Sequence, residues 1–287
     1  MSNSITQYLE LYDQHRGTIE AHAPSVLNKM RRQARQALDG VVLPKKGAED
    51  YEATDLNAIF APDYGVNVAR LDFDIDPATA FHCDVPNMST CMYYTYNDVF
   101  HRSNTARRIE GGVVVESFAE AAINHPELLE RYYGQQASLE DPTVALNTLL
   151  AQDGILVYVP AGFTAEKTIQ LVNILNYTRP MMVVRRILVV LGENAHARML
   201  VCDHTQSGGV DSLASQVIEV FAGENSTFET MTWRRADRKP IVCRASMCGN
   251  RLAATCWSTA SRSPMVSLAT ITWLLSMVSM PRHSCWA

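Results

Sequence analysis

Cysteine and histidine residues form the two sets whose types and spacing could bind a metal. In the first set, Cys202 and His204 lie two residues apart in the stretch Met199–His204. If that stretch is a strand, the period of two puts them on one face together with Leu200. A thiolate beside an imidazole could hold a soft metal or an iron–sulfur unit. Two ligands make an incomplete site, so chance adjacency is the preferred interpretation.

The second set contains His82, Cys83 and Cys91. A structural zinc site usually has four ligands in paired short spacings, whereas this set offers three, two of which are adjacent. Ordinary packing is therefore the preferred interpretation here as well. On these grounds the sequence predicts no catalytic, cofactor-binding or metal-binding residue.

Motifs for nucleotide binding and hydrolysis are missing from the sequence. It has no G-x-G-x-x-G after a strand, no Walker loop, no G-x-S-x-G and no H-E-x-x-H. The candidate strands Ile155–Val159 and Ile187–Leu191 carry no acid, although a lyase or glycosidase built on stacked strands would project acids from successive turns. We expect a chain that is not an enzyme. A carbohydrate-active β-helix enzyme, of the lyase or glycosidase type, is the alternative function.

The stretch 155–229 would have to position any such residues, and it repeats itself. Three rows each contain a short β-forming run, a glycine turn and a second short run, with a period of about thirty residues and with turn glycines at Gly162, Gly192 and Gly223. The predicted strands are Ile155–Val159, Ile187–Leu191 and Val217–Phe221. The repeat predicts a stacked β-solenoid, with three unrelated hairpins of a β-sandwich as the alternative. Glycine is expected to supply a positive φ at each corner.

The residues before this repeat have helical spacing. Helices are predicted over 4–22, over Pro24–Leu38, over Glu127–Tyr133 and over Pro142–Leu150, the last with Asp141 as its N-cap. Arg31, Arg32 and Arg35 are expected on the solvent face of the second helix. The order of elements predicts an α+β fold with a helical and mixed region at 1–150 and the start of a β core at 151–230.

Composition limits the possible partners and compartments. The formal net charge of −5 argues against general nucleic-acid binding. No signal peptide is recognised, and seven cysteines are too few for a disulfide scaffold, which fits a reducing cytoplasm. The apolar run 265–280 is short for a membrane span and contains serines, so membrane insertion is not expected.

The composition changes abruptly near residue 230. All four tryptophans and four of the seven cysteines follow that point, and Asp237 is the only acid in the last 57 residues, against eight Lys and Arg. Residues 1–230 therefore carry a charge of about −12 and residues 231–287 about +7, which together give −5.

The connector 43–60, LPKKGAEDYEATDLNAIF, is similar to the segment P-x-x-x-x-E-D/E-W-x-x-T-[DN]-L of the SufB/SufD family. Tyr51 stands where that family often has Trp, and Ala53 where it often has a basic or aromatic residue. The rows GILVYVPAGFTAEKTIQLV and RRILVVLGENAHARMLVCDH resemble the start of the family's β-helix. The resemblance covers about residues 1–230, and the N-terminal helical region favours the SufD branch over SufB.

The resemblance implies both a fold and a function. It implies an N-terminal helical region followed by a right-handed parallel β-helix, which would be truncated in this chain. It also implies a scaffold subunit of the SUF machinery, which assembles iron–sulfur clusters with a SufB-like paralogue as heterodimer partner and a SufC-like ATPase. The cluster would be held in the assembled complex, and no cofactor would be bound by this chain alone.

The unusual tail is explained by a shift of reading frame. Residues 230–236 can be written with the synonymous codons ACT ATG ACA TGG AGG AGA GC, and reading these from the last base of the first codon would give Tyr-Asp-Met-Glu-Glu-Ser. The same shift over 246–266 permits YVRQQAGSNVLVNGITLTNG, which resembles a SufD-like β-helix at this point. We predict that 231–287 is a frameshifted, non-native tail; a divergent but genuine tail is the alternative.

Overall fold

The computed structural model describes residues 3–48, 55–70, 90–101, 110–205, 211–236, 241–250, 255–260 and 268–272. Beyond residue 233 the description is of the backbone.

The N-terminal part of the described chain is mainly helical. Its helices are α1 (Ile5–His22), α2 (Ser25–Ala37), α3 (Leu56–Ile59), α4 (Phe118–Asn124), α5 (Pro126–Tyr132) and α6 (Pro142–Leu150). The predicted α6 is confirmed at both ends, and the side chain of Asp141 accepts hydrogen bonds from the N–H groups of Thr143 and Val144. The predicted α5 begins one residue earlier than expected, whereas α4 was not predicted.

The remaining described elements are mostly strands of two sheets. In chain order they are β1 (Gly65–Val66), β2 (Thr90–Tyr96), β3 (Val99–Phe100), β4 (Val114–Ser117), β5 (Ile155–Val159), β6 (Thr168–Leu175), β7 (Met181–Leu191), β8 (His196–Thr205), β9 (Ser212–Ala222), β10 (Thr227–Ala236), β11 (Ile241–Asn250), β12 (Thr255–Ala260) and β13 (Leu268–Thr272). A short 3-10 turn, Glu110–Gly112, precedes β4.

Consecutive strands from β5 onward alternate between the two sheets. The first sheet has the order β13-β11-β9-β7-β5-β4, with β1 also beside β7, and the second has the order β12-β10-β8-β6-β2-β3. Neighbours are parallel, except for β4 against β5 and β3 against β2. Ile155 lies opposite Ile187, and Ile187 opposite Ile218, so successive turns advance by 32 and 31 residues. The fold is thus mixed α/β, with N-terminal helices followed by two mostly parallel sheets, and the three predicted strands lie within β5, β7 and β9.

An apolar core fills the space between the sheets. Aliphatic residues at the same register of successive strands supply it, among them Val157, Val189 and Val220 from the first sheet and Leu171 and Val201 from the second. Side chains alternate along each strand, so the intervening residues of the first sheet face the helices. Leu156 and Leu188 accordingly pack with Phe118 and Tyr133 in a second apolar cluster.

The turn glycines are needed for a different reason from the one predicted. Gly162 does have a positive φ of 72°, but at the next two turns the positive φ belongs to Asn194 and Asn225, at 56° and 55°. Gly192 and Gly223 are instead points of close contact between turns. A Cβ on Gly192 would lie 2.4 Å from the backbone N of Ala161, and one on Gly223 would lie 2.6 Å from the carbonyl carbon of Gly192.

Helix α6 joins the helical layer to the first sheet. Every residue from Thr143 to Leu150 is buried. The prediction of a solvent-exposed arginine face on α2 was wrong for Arg31, which is 1% exposed. Its guanidinium donates to the carbonyls of Leu149 and Ala151 at 2.6 and 2.5 Å, and to the Asn28 side chain at 2.8 Å. An arginine at this point satisfies carbonyls that a helix C-terminus leaves without partners.

Candidate functional site

The polar side chains buried between the two sheets form an interior ion-pair cluster of Thr95, Asp98, Asn173, Arg185 and Asp203. Arg185 precedes the core residue Ile187 by two positions on β7, so its side chain enters the same space. Its Nε donates to Asp98 Oδ1 at 2.8 Å, and its Nη1 donates to Asp203 Oδ1 at 2.5 Å. Asn173 Nδ2 donates to the same Asp203 oxygen at 2.9 Å, while Thr95 Oγ1 donates to Asn173 Oδ1 at 2.8 Å.

The electrostatics of this cluster favour a charged arginine. Burial acts to lower the pKa of Arg185, but the carboxylates of Asp203 and Asp98 outweigh it, so the pKa is raised. Burial raises the pKa of Asp98, and the nearby Arg185 only partly opposes that shift. The cluster can therefore keep a charged arginine in the interior and link β7 to β8, but both carboxylates are already bound to that one guanidinium. It does not present a separate acid and base to a sugar, as glycoside hydrolysis requires.

A small cavity lies beside Asp98. It is lined by Val66, Asn67, Arg70, Asn97, Asp98, Leu150, Gln152, Met182 and Val184, and has a volume of about 20 Å³. That is room for a single water molecule and far below the volume of an organic ligand.

A second buried ion pair lies on the opposite face of the first sheet, against the helices. Arg186 Nη2 donates to Glu219 Oε2 at 3.0 Å, with the two side chains 1% and 2% exposed. The Arg186 guanidinium also lies 4.8 Å from the centre of the Tyr133 ring and donates to Thr148 Oγ1 at 3.3 Å. The carboxylate of Glu219 further accepts three backbone N–H groups of the loop between α5 and α6, from Gly134, Gln136 and Ala137.

The Cys202 and His204 pair lies on one strand, β8, as predicted. Cys202 is opposite Val172 of β6 and His204 is opposite Ile174. Both side chains are buried, and Cys202 Sγ accepts a hydrogen bond from Gln170 Nε2 at 3.4 Å. Cys202 packs in an apolar cluster with Tyr94, Val172, Ile174 and Leu200.

Cys91 is the one other candidate ligand among the described residues, and it does not complete a site with this pair. Cys91 packs against the core between the sheets, in a different apolar cluster from Cys202. His82 and Cys83 lie outside the described residues. Within the described part of the chain, no three His, Cys, Asp or Glu side chains are grouped so that they could hold a metal ion. None of the helices described there is long and apolar enough to cross a membrane.

Four charged residues, Arg185, Arg186, Asp203 and Glu219, were not predicted from the sequence. A signal was present, because two adjacent arginines interrupt the apolar run of β7, and a single acid interrupts the run of β9. A charge within a buried strand is rarely tolerated without a partner. The sequence alone could not show which acid each arginine meets.

Comparison with known proteins gives two findings. The family model described as the SufBD protein N-terminal region matches residues 2–171. The chain is also 26% identical over 211 residues to the iron–sulfur cluster assembly SufBD family protein slr0076 of Synechocystis. That alignment covers 70% of this chain and 46% of the relative, so the chain spans about half the length of the curated relative that it matches.

Proposed function

Because the chain belongs to the SufBD family, whose N-terminal model covers more than half of it, we propose that it acts in SUF iron–sulfur cluster assembly. The role proposed is that of a SufD-like scaffold subunit with no catalysis of its own, acting in the cytoplasm. The match over 2–171 is the observation that carries this proposal. The iron–sulfur cluster is the cargo of the assembled complex and not a resident cofactor of this chain.

The proposed partners are a SufB-like paralogue, as heterodimer partner, and a SufC-like ATPase. The proposed fold is a right-handed parallel β-helix that begins near residue 151, after the helical and mixed region at 1–150. Alternation of consecutive strands between two parallel sheets supports the β-helix. The described strands do not favour the carbohydrate-active alternative, because their buried acids, Asp203 and Glu219, are both bound to buried arginines.

We propose further that residues 231–287 are the product of a frameshift. The register of the first sheet supports this idea. In the strand register, the buried residues Ile187 and Ile218 are followed by Ser246, Val189 and Val220 by Cys248, and Leu191 and Ala222 by Asn250. The aliphatic character that stabilises stacked strands therefore ends at the break in composition.

A comparison of two chains tests the function. The 287-residue chain and a version with the shifted frame restored after residue 230 would each be co-expressed with the SufB-like and SufC-like proteins of the same genome. We expect the frame-restored chain to co-purify both partners and to complement a SufD-deficient strain, while the 287-residue chain fails to complement. A frame-restored chain that neither binds the partners nor complements would refute the proposed function.

The frameshift is tested separately. Sequencing the gene from codon 225 to codon 290 should reveal the lost or gained base. An unbroken frame, with peptides of the tail identified by mass spectrometry in the cellular protein, would refute the frameshift and leave the family membership intact.

A further inference from the structure

The loop that joins α5 to α6 is folded around an anion supplied by a distant part of the chain. Three of its backbone N–H groups converge on one carboxylate, with Gly134 N 3.1 Å from Glu219 Oε2, and Gln136 N and Ala137 N 3.1 and 3.2 Å from Oε1. Closely spaced backbone N–H groups that point at one anion make a concave anion site, although here the N–H of Gln135 donates instead to the Tyr132 carbonyl. Gly134 contributes to the geometry, because its φ of 72° is one that other residues rarely adopt.

The carboxylate in this site belongs to Glu219 of β9, which lies 82 to 85 residues further along the chain than the loop. Glu219 therefore links two parts of the fold. Its backbone belongs to β9, which follows β5 and β7 in the first sheet, and its carboxylate binds the loop of the helical layer. Arg186 of β7 holds the same carboxylate at 3.0 Å, and Gln136 Nε2 donates to the Val220 carbonyl of β9 at 3.4 Å.

We propose that Glu219 is a latch that makes the ordered state of the loop 134–137 depend on the presence of β9. Without the carboxylate, three loop N–H groups and the buried Arg186 guanidinium lose their common acceptor. The loop then opens, and the burial of Tyr133 against Arg186 is lost with it. A chain that ends or misfolds before β9 leaves the helical layer open at this point. The latch goes beyond the assembly function and does not depend on it.

Amide hydrogen exchange of the full chain tests the latch. In Glu219→Gln the side-chain amide cannot accept from all three donors, since one of its two terminal atoms is itself a donor. We expect the amides of Gly134, Gln136 and Ala137 to exchange at least about tenfold faster than in the wild-type chain, which corresponds to about 1.4 kcal/mol. The amides of α6 should change much less, because local opening is cheaper than global unfolding.

A matched variant separates the latch from a general loss of stability. Asp203→Asn also removes a buried carboxylate bound to a β7 arginine, but this carboxylate lies between the two sheets, whereas the loop 134–137 packs on the helix-facing side of the first sheet. We expect it to leave the ratio of loop to α6 exchange unchanged. Where Glu219→Gln does not yield folded protein, Glu219→Asp, which keeps the charge on a shorter side chain, should give a smaller acceleration of the same amides.

Chemical rescue gives the second measurement. Glu219→Ala leaves the space of a short carboxylate, and formate or acetate should slow exchange of the loop amides in a concentration-dependent way, relative to chloride at equal ionic strength. The latch is overturned if loop and α6 amides accelerate equally in the Glu219 variants, or if formate and acetate act no differently from chloride.

Discussion

Replacing Gly192 by alanine tests the contact between successive turns of the strand stack. The substitution lowers the conformational entropy of the unfolded chain, because alanine has less backbone freedom than glycine, and this effect alone stabilises the folded state by about 0.4–1 kcal/mol. In the folded chain the new Cβ would lie 2.4 Å from the Ala161 N, 2.7 Å from its Cα and 3.0 Å from its Cβ. These are mostly backbone atoms, so no flexible side chain can move aside.

The energetic cost follows from the movement that relieves this contact. Ordinary contacts lie at 3.4–4 Å, so the two turns must separate by about 1 Å. Overpacking of this kind costs about 1–3 kcal/mol. The separation also stretches the hydrogen bond from Gly192 N to the Val159 carbonyl, now 2.9 Å, and weakening it costs up to about 1 kcal/mol. The middle of these ranges, less the gain from the unfolded chain, gives an expected net loss of about 2 kcal/mol in the free energy of unfolding.

Urea unfolding followed by circular dichroism measures this loss, and other glycines supply the controls. Gly17→Ala lies within α1 with nothing within 4 Å of the new Cβ, so it should stabilise the chain by about 0.5–1 kcal/mol. Gly162→Ala also has open space, but its φ of 72° predicts a loss of about 1–2 kcal/mol. Wild-type stability in Gly192→Ala, or a gain like that of Gly17→Ala, would refute the stacking of these turns.

Substitutions of Arg31, Asn194 and Asp98, with controls, test other contacts. Arg31→Met should lower the free energy of unfolding by about 2–4 kcal/mol, because it leaves two buried carbonyls at the end of α6 without their donor. The same change at the exposed Arg32 should alter the free energy of unfolding by less than about 0.5 kcal/mol. Equal effects of the two variants in urea unfolding would contradict the burial of Arg31. Asn194→Ala should cost about 1 kcal/mol and Asn194→Gly almost nothing, since the φ of 56° suits glycine; the reverse order in thermal unfolding would argue against that backbone conformation. Burial raises the pKa of Asp98 above 3.8, so the folded state binds this proton more tightly than the unfolded state, and the stabilisation present below pH 3.8 is lost as the pH rises through the raised pKa. Asp98→Asn, which does not titrate beside Arg185, should therefore gain stability relative to the wild-type chain as the pH rises above 3.8. A difference that does not change with pH would show that the pKa of Asp98 is not raised.

Elements with strong local signals could be predicted from the sequence. Helix α6 was found at both ends because Asp141 and Pro142 mark its start, and β5 because Ile155–Val159 is a compact aliphatic run. Helix α4 could have been found in the same way. Ser117 and Glu120 form a capping box, in which each side chain accepts from the other residue's backbone, and this is a local pattern of the S-x-x-E type.

Features that depend on a distant partner could not be predicted. Arg31 looks like any arginine of an amphipathic helix, and its burial follows from the docking of α6, which lies about 120 residues away, against α2. The prediction that glycine supplies a positive φ at each corner was wrong at Gly192 and Gly223 for a similar reason. A positive φ is a local property, whereas the approach of Gly223 to Gly192 exists only when two turns are stacked. The pairing of Arg186 with Glu219 likewise requires that β7 and β9 be neighbours.

The glycine contacts also have to fix the register of β7. This strand is buried on both faces, and its residues are apolar or arginine on each, so a slip by one residue would exchange one apolar face for another. The adjacent arginines do not prevent the slip, since an acid is available on either side of the sheet, Asp203 between the sheets and Glu219 under the helices. At the end of the strand, by contrast, only a residue without a Cβ fits, because a Cβ on Gly192 would lie 2.4 Å from the backbone N of Ala161 in the neighbouring turn. A slipped strand would bring Leu191 or Glu193 to that point, so Gly192 determines which residues of β7 face the core.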